Sequence, residues 1–135
     1  MKVIIAGSRT FCFDKYPDAL EILQKAIDES GFEVSEVVSG NQYTWRHGSV
    51  VGGADYVGEQ WAQQVDVDLK CFQADWPGFG KAAGPIRNRE MANYGEALIA
   101  LWDGSSRGTA SMIKEMQKLN KKVYIFRFNE LTLIE

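Results

Sequence analysis

The first ten residues constrain the fold more than any other stretch. Val3, Ile4, Ile5 and Ala6 form an apolar run without polar alternation, and the run stops at Gly7-Ser8-Arg9-Thr10. A strand that is apolar on both faces belongs in the middle of a parallel sheet covered on both sides. Its abrupt polar end then lies at the carboxyl edge of the sheet, where open α/β folds hold their ligands.

A second such run, residues 97–102, ends in Asp103-Gly104-Ser105-Ser106-Arg107-Gly108-Thr109. Strands at residues 34–39, 67–72 and 123–128 alternate with helical patterns. Tyr16, Leu20, Leu23 and Ile27 share one helix face, and Val57, Trp61, Ala62 and Val65 share a second. Met112, Ile113, Met116 and Leu119 share a third, and a further helix starts at Gly84-Pro85. Strands joined by single helices run parallel, with right-handed crossovers. The expected architecture is α/β, a Rossmann-like three-layer sandwich around a five-stranded parallel sheet of order 3-2-1-4-5. The two all-apolar strands are then adjacent at its centre, with the topological switch between them. The 135 residues fit one domain. Residues 41–51 show no sustained period and read as a long loop or small hairpin, a kind of insertion that tends to be functional or mobile.

Composition narrows the function. A net charge of -3 without a basic cluster argues against a nucleic-acid partner. No apolar run approaches a membrane span and no leader pattern opens the chain, so a cytoplasmic protein without a membrane partner is expected. Cys12 and Cys71 lie far apart and suit reduced thiols. His47 is the single histidine, so neither a zinc site nor a Ser-His-Asp set is expected. The glycine spacing matches neither a dinucleotide fingerprint nor a P-loop. No metal or cofactor is assigned.

The candidate chemistry gathers at the switch. Gly7, Ser8, Arg9 and Thr10 face the loop from Asp103 to Thr109, which runs into a helix. A helix N-terminus offers unpaired N–H groups and the positive end of the dipole, which together bind anions. Gly104 and Gly108 allow close approach, and Ser105, Ser106 and Thr109 carry hydroxyls, although the serines also read as a helix cap. Gly40 ends the second strand. Gly52-Gly53-Ala54-Asp55 opens another helix, a second anion cradle with Asp55 and Glu59 as acceptors for ribose or base. Taken singly, Asp55 reads better as a dipole partner and Glu59 as a solvated charge. Arg87 and Arg89 near a helix start call for a negative partner: a ligand phosphate, Asp75 or Glu90. Arg9 and Arg87 together form a phosphate clamp, with Asn88 beside it. Tyr43, Trp45 and Trp76 suit base stacking or anchoring of loops, whereas Trp61 and Trp102 read as core.

Four motifs in order resemble the YspA/YpsA-related branch of the SLOG superfamily, which also holds the lonely-guy phosphoribohydrolases and a DNA-processing protein. They are Val-Ile-Ile-Ala-Gly-Ser-Arg-Thr-Phe; Val-Val-Ser-Gly with Gly-Ala-Asp-x-x-Gly-Glu-x-Trp-Ala; Ala-Asp-Trp with Gly-Lys-x-Ala-Gly-Pro-Ile-Arg-Asn-x-x-Met; and Ala-Leu-Ile-Ala-x-Trp-Asp-Gly-x-Ser-x-Gly-Thr. The resemblance implies a Rossmann-like domain that binds nucleotides or nucleotide-derived ligands. It implies a pocket at Gly7 to Arg9, Gly53 to Asp55 with Glu59, Arg87 and Asn88, and Asp103 to Thr109. Two departures stand out. Residues 41–51 interrupt what is usually a direct run from Val-Ser-Gly into the glycine-rich helix start. The lonely-guy catalytic glutamate after Gly-Thr is absent, since Ala110-Ser111-Met112 follows Thr109.

The leading expectation is a domain that binds, or senses, a phosphate-bearing nucleotide-derived small molecule. One alternative is a hydrolase of an N-glycosidic or phosphate bond, with Glu59, Glu90 or Asp103 as acid–base group and Arg87 stabilising charge. Another is a DNA- or protein-interaction module with a vestigial pocket. The resemblance also makes a homodimer plausible, with residues 129–135 as participants.

Overall fold

In the computed structural model, which describes residues 1–128, the chain forms a parallel sheet of five strands and a separate two-stranded ribbon. The elements run β1 (Lys2–Gly7), α1 (Ala19–Ser30), β2 (Glu36–Ser39), β3 (Thr44–Arg46), β4 (Ser49–Gly52), α2 (Ala54–Val65), β5 (Asp68–Cys71), α3 (Trp76–Phe79), α4 (Ala83–Tyr94), β6 (Ala97–Leu101), α5 (Arg107–Lys118) and β7 (Lys122–Phe126). The sheet order is β5-β2-β1-β6-β7. It differs from the expected 3-2-1-4-5 because residues 41–52 contribute two strands, β3 and β4, that stand outside the sheet. With that ribbon set aside, each segment has the neighbours that right-handed crossovers demand.

Side chains alternate across the sheet and build two cores. Val3, Ile5, Val37, Ile99 and Leu101 pack with Leu23, Ala26, Val57 and Trp61 of α1 and α2. Ile4, Val38, Leu98 and Ala100 pack with Met91 of α4 and with Met112 and Met116 of α5. The three layers follow. The chain leaves β1 toward β2 and β5, then returns on the other side of β1 as β6 and β7, so the switch point falls between β1 and β6. There Gly7 pairs with Leu101, and a Cβ on Gly7 would lie 2.0 Å from the Leu101 carbonyl oxygen. Only glycine fits that approach. Phe11, fully buried against Phe128 at 4.8 Å between ring centroids, pins the loop that follows.

Several local expectations are corrected. The third predicted strand is an exposed edge, with Leu69 and Cys71 facing outward along with Asp68 and Lys70. Val65 and Leu119 are exposed, since both lie where a helix ends. Trp102 is half-buried, its indole N–H donating to the Ser106 carbonyl. The loop before α4 holds the single turn α3 and a 3₁₀ turn at Gly80–Ala82, and α4 begins at Ala83. Among the described residues no helix is long and apolar enough to cross a membrane. The proposed role of residues 129–135 in a dimer lies outside the described residues.

Candidate functional site

A cavity of about 360 Å³ opens at the carboxyl edge, over the switch between β1 and β6. Gly7, Arg9, Thr10, Gly40, Gly53, Ala54, Asp55, Arg87, Asn88, Asp103, Ser106, Gly108 and Thr109 line it, together with Ala6, Gln42, Met91 and Met112. Most residues singled out from the sequence therefore meet at one place. Ser8, Glu59, Glu90, Gly104 and Ser105 are not among the lining residues.

One end of the cavity is the start of α5. Ser106 caps this helix, its Oγ accepting from the Thr109 N–H at 3.4 Å and the Thr109 hydroxyl at 3.0 Å. Asp103 Oδ1 accepts from the N–H groups of Ser105 and Ser106, both at 2.9 Å. Burial works against the charge on Asp103, but these N–H groups and the Ser8 hydroxyl outweigh it and hold its pKa below the ordinary carboxylate value. The loop is thus built in advance with its acid ionised. The first-turn N–H groups of Arg107 and Gly108 have no intrahelical carbonyl to meet. A Cβ on Gly108 would touch nothing within 4 Å. Arg9 reaches the same cavity from the β1 side, exposed. Among the described residues its guanidinium makes no hydrogen bond or ion pair.

The start of α2 is occupied differently. The N–H groups of Gly53 and Ala54 donate to the carbonyls of Phe11 and Ser8, at 3.0 and 3.2 Å. The first two N–H groups of this second cradle are therefore taken by main chain, because α2 docks its start on the loop after β1. Ser8, 1% exposed, also donates its N–H to the Leu101 carbonyl and accepts the Asp103 N–H on its Oγ. It joins three loops rather than facing a ligand.

The opposite end of the cavity is a polar cluster. Asp55 Oδ2 accepts the Gln42 backbone N–H at 3.1 Å. Arg87 donates through Nη1 to the Gly40 carbonyl at 2.8 Å, and its Nη2 lies 3.5 Å from Gln42 Oε1. Its Nε donates to Asn88 Oδ1 at 3.2 Å, and Asn88 Nδ2 reaches the Gly108 carbonyl at 3.4 Å. A chain of polar groups thus spans the crevice from Asp55 to α5. Burial pushes the Asp55 carboxyl up to about 6, opposed by the Gln42 N–H and the Arg87 charge. Burial likewise lowers the Arg87 pKa, while Asp55 counteracts it. Neither carboxylate foreseen for Arg87 is used. Asp75 accepts from the Gly78 N–H to cap α3, and Glu90 is exposed. Gly40 makes the cluster possible: a Cβ there would come within 2.9 Å of Asp55 Oδ2 and 3.2 Å of Arg87 Nη1.

Glu59 is corrected on both of its readings, since it is neither a ligand acceptor nor a solvated charge. It is 6% exposed, and its two oxygens accept from the hydroxyls of Ser39 at 2.7 Å and Tyr43 at 2.5 Å. Residues 41–51 are the reason. They form most of an antiparallel ribbon, β3 with β4, turned by His47 and Gly48, both at positive φ as a two-residue type I′ hairpin requires. Its base grips the site. Tyr43 reaches Glu59, the Thr44 hydroxyl donates to the Arg9 carbonyl at 2.7 Å, and Val51 accepts the Phe13 N–H at 2.8 Å. Tyr43 also packs on Tyr56 at 5.1 Å, so it anchors rather than stacks. Trp45 sits on the ribbon, 61% exposed. Gln42 is the polar lining residue that sequence reasoning missed, beside the apolar Ala6, Met91 and Met112; its position inside an aperiodic insertion was the available signal.

No protein-family model matches the chain. Over 80 residues it is 35% identical to the Gene 61 protein of Mycobacterium phage D29, an alignment that covers 55% of this chain. The chain spans 64% of the length of that relative, less than two thirds.

Proposed function

We propose that the cavity binds a phosphate-bearing, nucleotide-derived small molecule, with the phosphate on the first turn of α5 beside Arg9. The observation that carries this reading is the Arg9 guanidinium, which makes no hydrogen bond or ion pair among the described residues and borders the same cavity as the open start of α5. A cation and oriented N–H groups around one space are the components of an anion site. Gly108 leaves the room, and the cavity size suits a small ligand. The arrangement supports placing the chain with the YspA/YpsA-related branch of the SLOG superfamily, as the four sequence motifs suggest.

A second reading, hydrolysis of an N-glycosidic or phosphate bond, is favoured by one observation. Asp55 lines the cavity with its carboxyl pushed up to about 6, which suits a proton carrier near neutral pH. It replaces Glu59, Glu90 and Asp103 as acid–base candidate. Glu59 has both oxygens engaged, Glu90 is exposed and does not line the cavity, and Asp103 is fixed as an ionised loop organiser.

A panel of nucleoside mono-, di- and triphosphates separates the readings. Thermal shift reports binding and product chromatography reports turnover. Binding without turnover supports a sensor, and turnover abolished in Asp55→Asn supports the hydrolase. No thermal shift with any phosphate-bearing compound would refute both.

A further inference from the structure

Gln42 lies in the insertion and faces the cavity from the base of the hairpin. Its backbone N–H is committed to Asp55 Oδ2, and its side-chain Oε1 is oriented toward Arg87 Nη2 at 3.5 Å. The remaining atoms are the informative ones. Among the described residues, the Gln42 Nε2 hydrogens have no acceptor and Asp55 Oδ1 has no donor. The cavity wall therefore presents an amide donor and a carboxylate acceptor on neighbouring side chains, held together by a main-chain hydrogen bond.

That pair is matched by a group that both donates and accepts at adjacent positions. A vicinal diol does so: one hydroxyl donates to the carboxylate while its oxygen, or its neighbour's, accepts from the amide. A bare phosphate does not, because the carboxylate repels it. The phosphate belongs instead at the α5 start, and Asn88 spans the distance between the two ends through Arg87 and Gly108. We propose that Gln42 is a specificity-determining residue, which together with Asp55 reads the ribose diol of a phosphate-bearing ligand and selects it over the 2′-deoxy form. This rests on the phosphate-site reading above.

The insertion then acquires a purpose. It delivers a donor that the strand-to-helix connection does not supply, and it braces that donor. Tyr43 on Glu59 and Thr44 on Arg9 fix the residues immediately after Gln42, so the amide is positioned before a ligand arrives. Positioning in advance lowers the ordering cost of recognition.

The test compares dissociation constants for orthophosphate, AMP and dAMP in the wild type, Gln42→Ala and Gln42→Glu. Both variants keep the backbone N–H to Asp55, and thermal midpoints report folding. The wild type is expected to favour AMP over dAMP by about tenfold or more, the scale of losing one hydrogen bond in a polar site. Gln42→Ala should lower that ratio by weakening AMP more than dAMP, with orthophosphate unchanged. Gln42→Glu, which exchanges the donor for an acceptor, should lower AMP further and serves if the alanine variant fails to fold. A wild-type ratio of one, or equal weakening of AMP and dAMP in the variants, overturns the assignment while leaving the phosphate site intact. Failure of the wild type to bind orthophosphate, AMP or dAMP overturns the phosphate site and this inference with it.

Discussion

The Ser8 Oγ accepts the Asp103 backbone N–H at 3.0 Å, tying the end of β1 to the end of β6 across the switch point. The two loops that flank the cavity are therefore one hydrogen-bonded unit. Ser8→Ala removes this hydrogen bond and should cost about 1 kcal/mol, the usual net worth of one intramolecular hydrogen bond. Urea denaturation of the variant should show a lower midpoint with an unchanged slope. An unchanged midpoint would mean that the loops are held elsewhere.

Gly108 separates stability from binding. Alanine at an exposed first-turn position is no worse than glycine and gains up to about 1 kcal/mol in helix propensity. A Cβ there meets no protein atom within 4 Å. Gly108→Ala should therefore keep or raise the thermal midpoint while weakening phosphate binding, because the methyl group enters the space beside the first-turn N–H groups. Gly108→Val should weaken it more.

Asp55 gives a pH dependence of defined sign. Its carboxyl titrates near 6 in the folded chain, against about 4 in the unfolded one. Between those values the folded state holds more protons, so this group's contribution to stability is present below about pH 4. It is lost as pH rises to about 6. Asp55→Asn should flatten that part of the curve, read as the difference in urea midpoint between the two proteins at pH 4.5 and pH 7. Protonation also removes a negative charge from the cavity, so sulfate, which stays dianionic, should bind more tightly below pH 6 in the wild type and show a flatter profile in the variant.

The central strands were legible because burial on both faces leaves no polar alternation, as Val3, Ile4, Ile5 and residues 97–101 show. The jaws at Gly7 and Asp103 followed from that adjacency and from the crossover rules. The ribbon was legible only as one of two alternatives, the small hairpin within residues 41–51, which the β3–β4 pairing bears out. Thr44, Trp45 and Arg46 stand outside both cores, and the pairing slips between Thr44 and Trp45, so no apolar period marks it. Glu59 was misread for a related reason. On a helix it looks solvated, and its partners Ser39 and Tyr43 lie 20 and 16 residues away, beyond the reach of any helical spacing. The use of the α2 start by the Ser8 and Phe11 carbonyls was hidden in the same way, since main-chain partners leave no trace in residue type.

The Tyr43–Glu59 hydrogen bond should control how firmly the ribbon is held. Burial, followed by the Glu59 carboxylate, raises the Tyr43 pKa, so the phenol stays a donor at neutral pH. Tyr43→Phe leaves Glu59 Oε1 without its partner and should loosen residues 41–52. Trypsin cleavage after the exposed Arg46 reports this directly, with faster nicking expected in Tyr43→Phe than in the wild type. Equal rates would mean that Thr44, Val51 and the Arg46–Asp14 ion pair secure the ribbon without Tyr43.

The central claim is an anion site between Arg9 and the start of α5, and a calorimetric titration of AMP into the wild type and Arg9→Ala tests it most directly. The account predicts saturable one-to-one binding to the wild type, weakened by added salt and reduced about tenfold or more in Arg9→Ala, the scale of a charge-assisted hydrogen bond. No saturable binding to the wild type, or equal affinity in the two proteins, would contradict it.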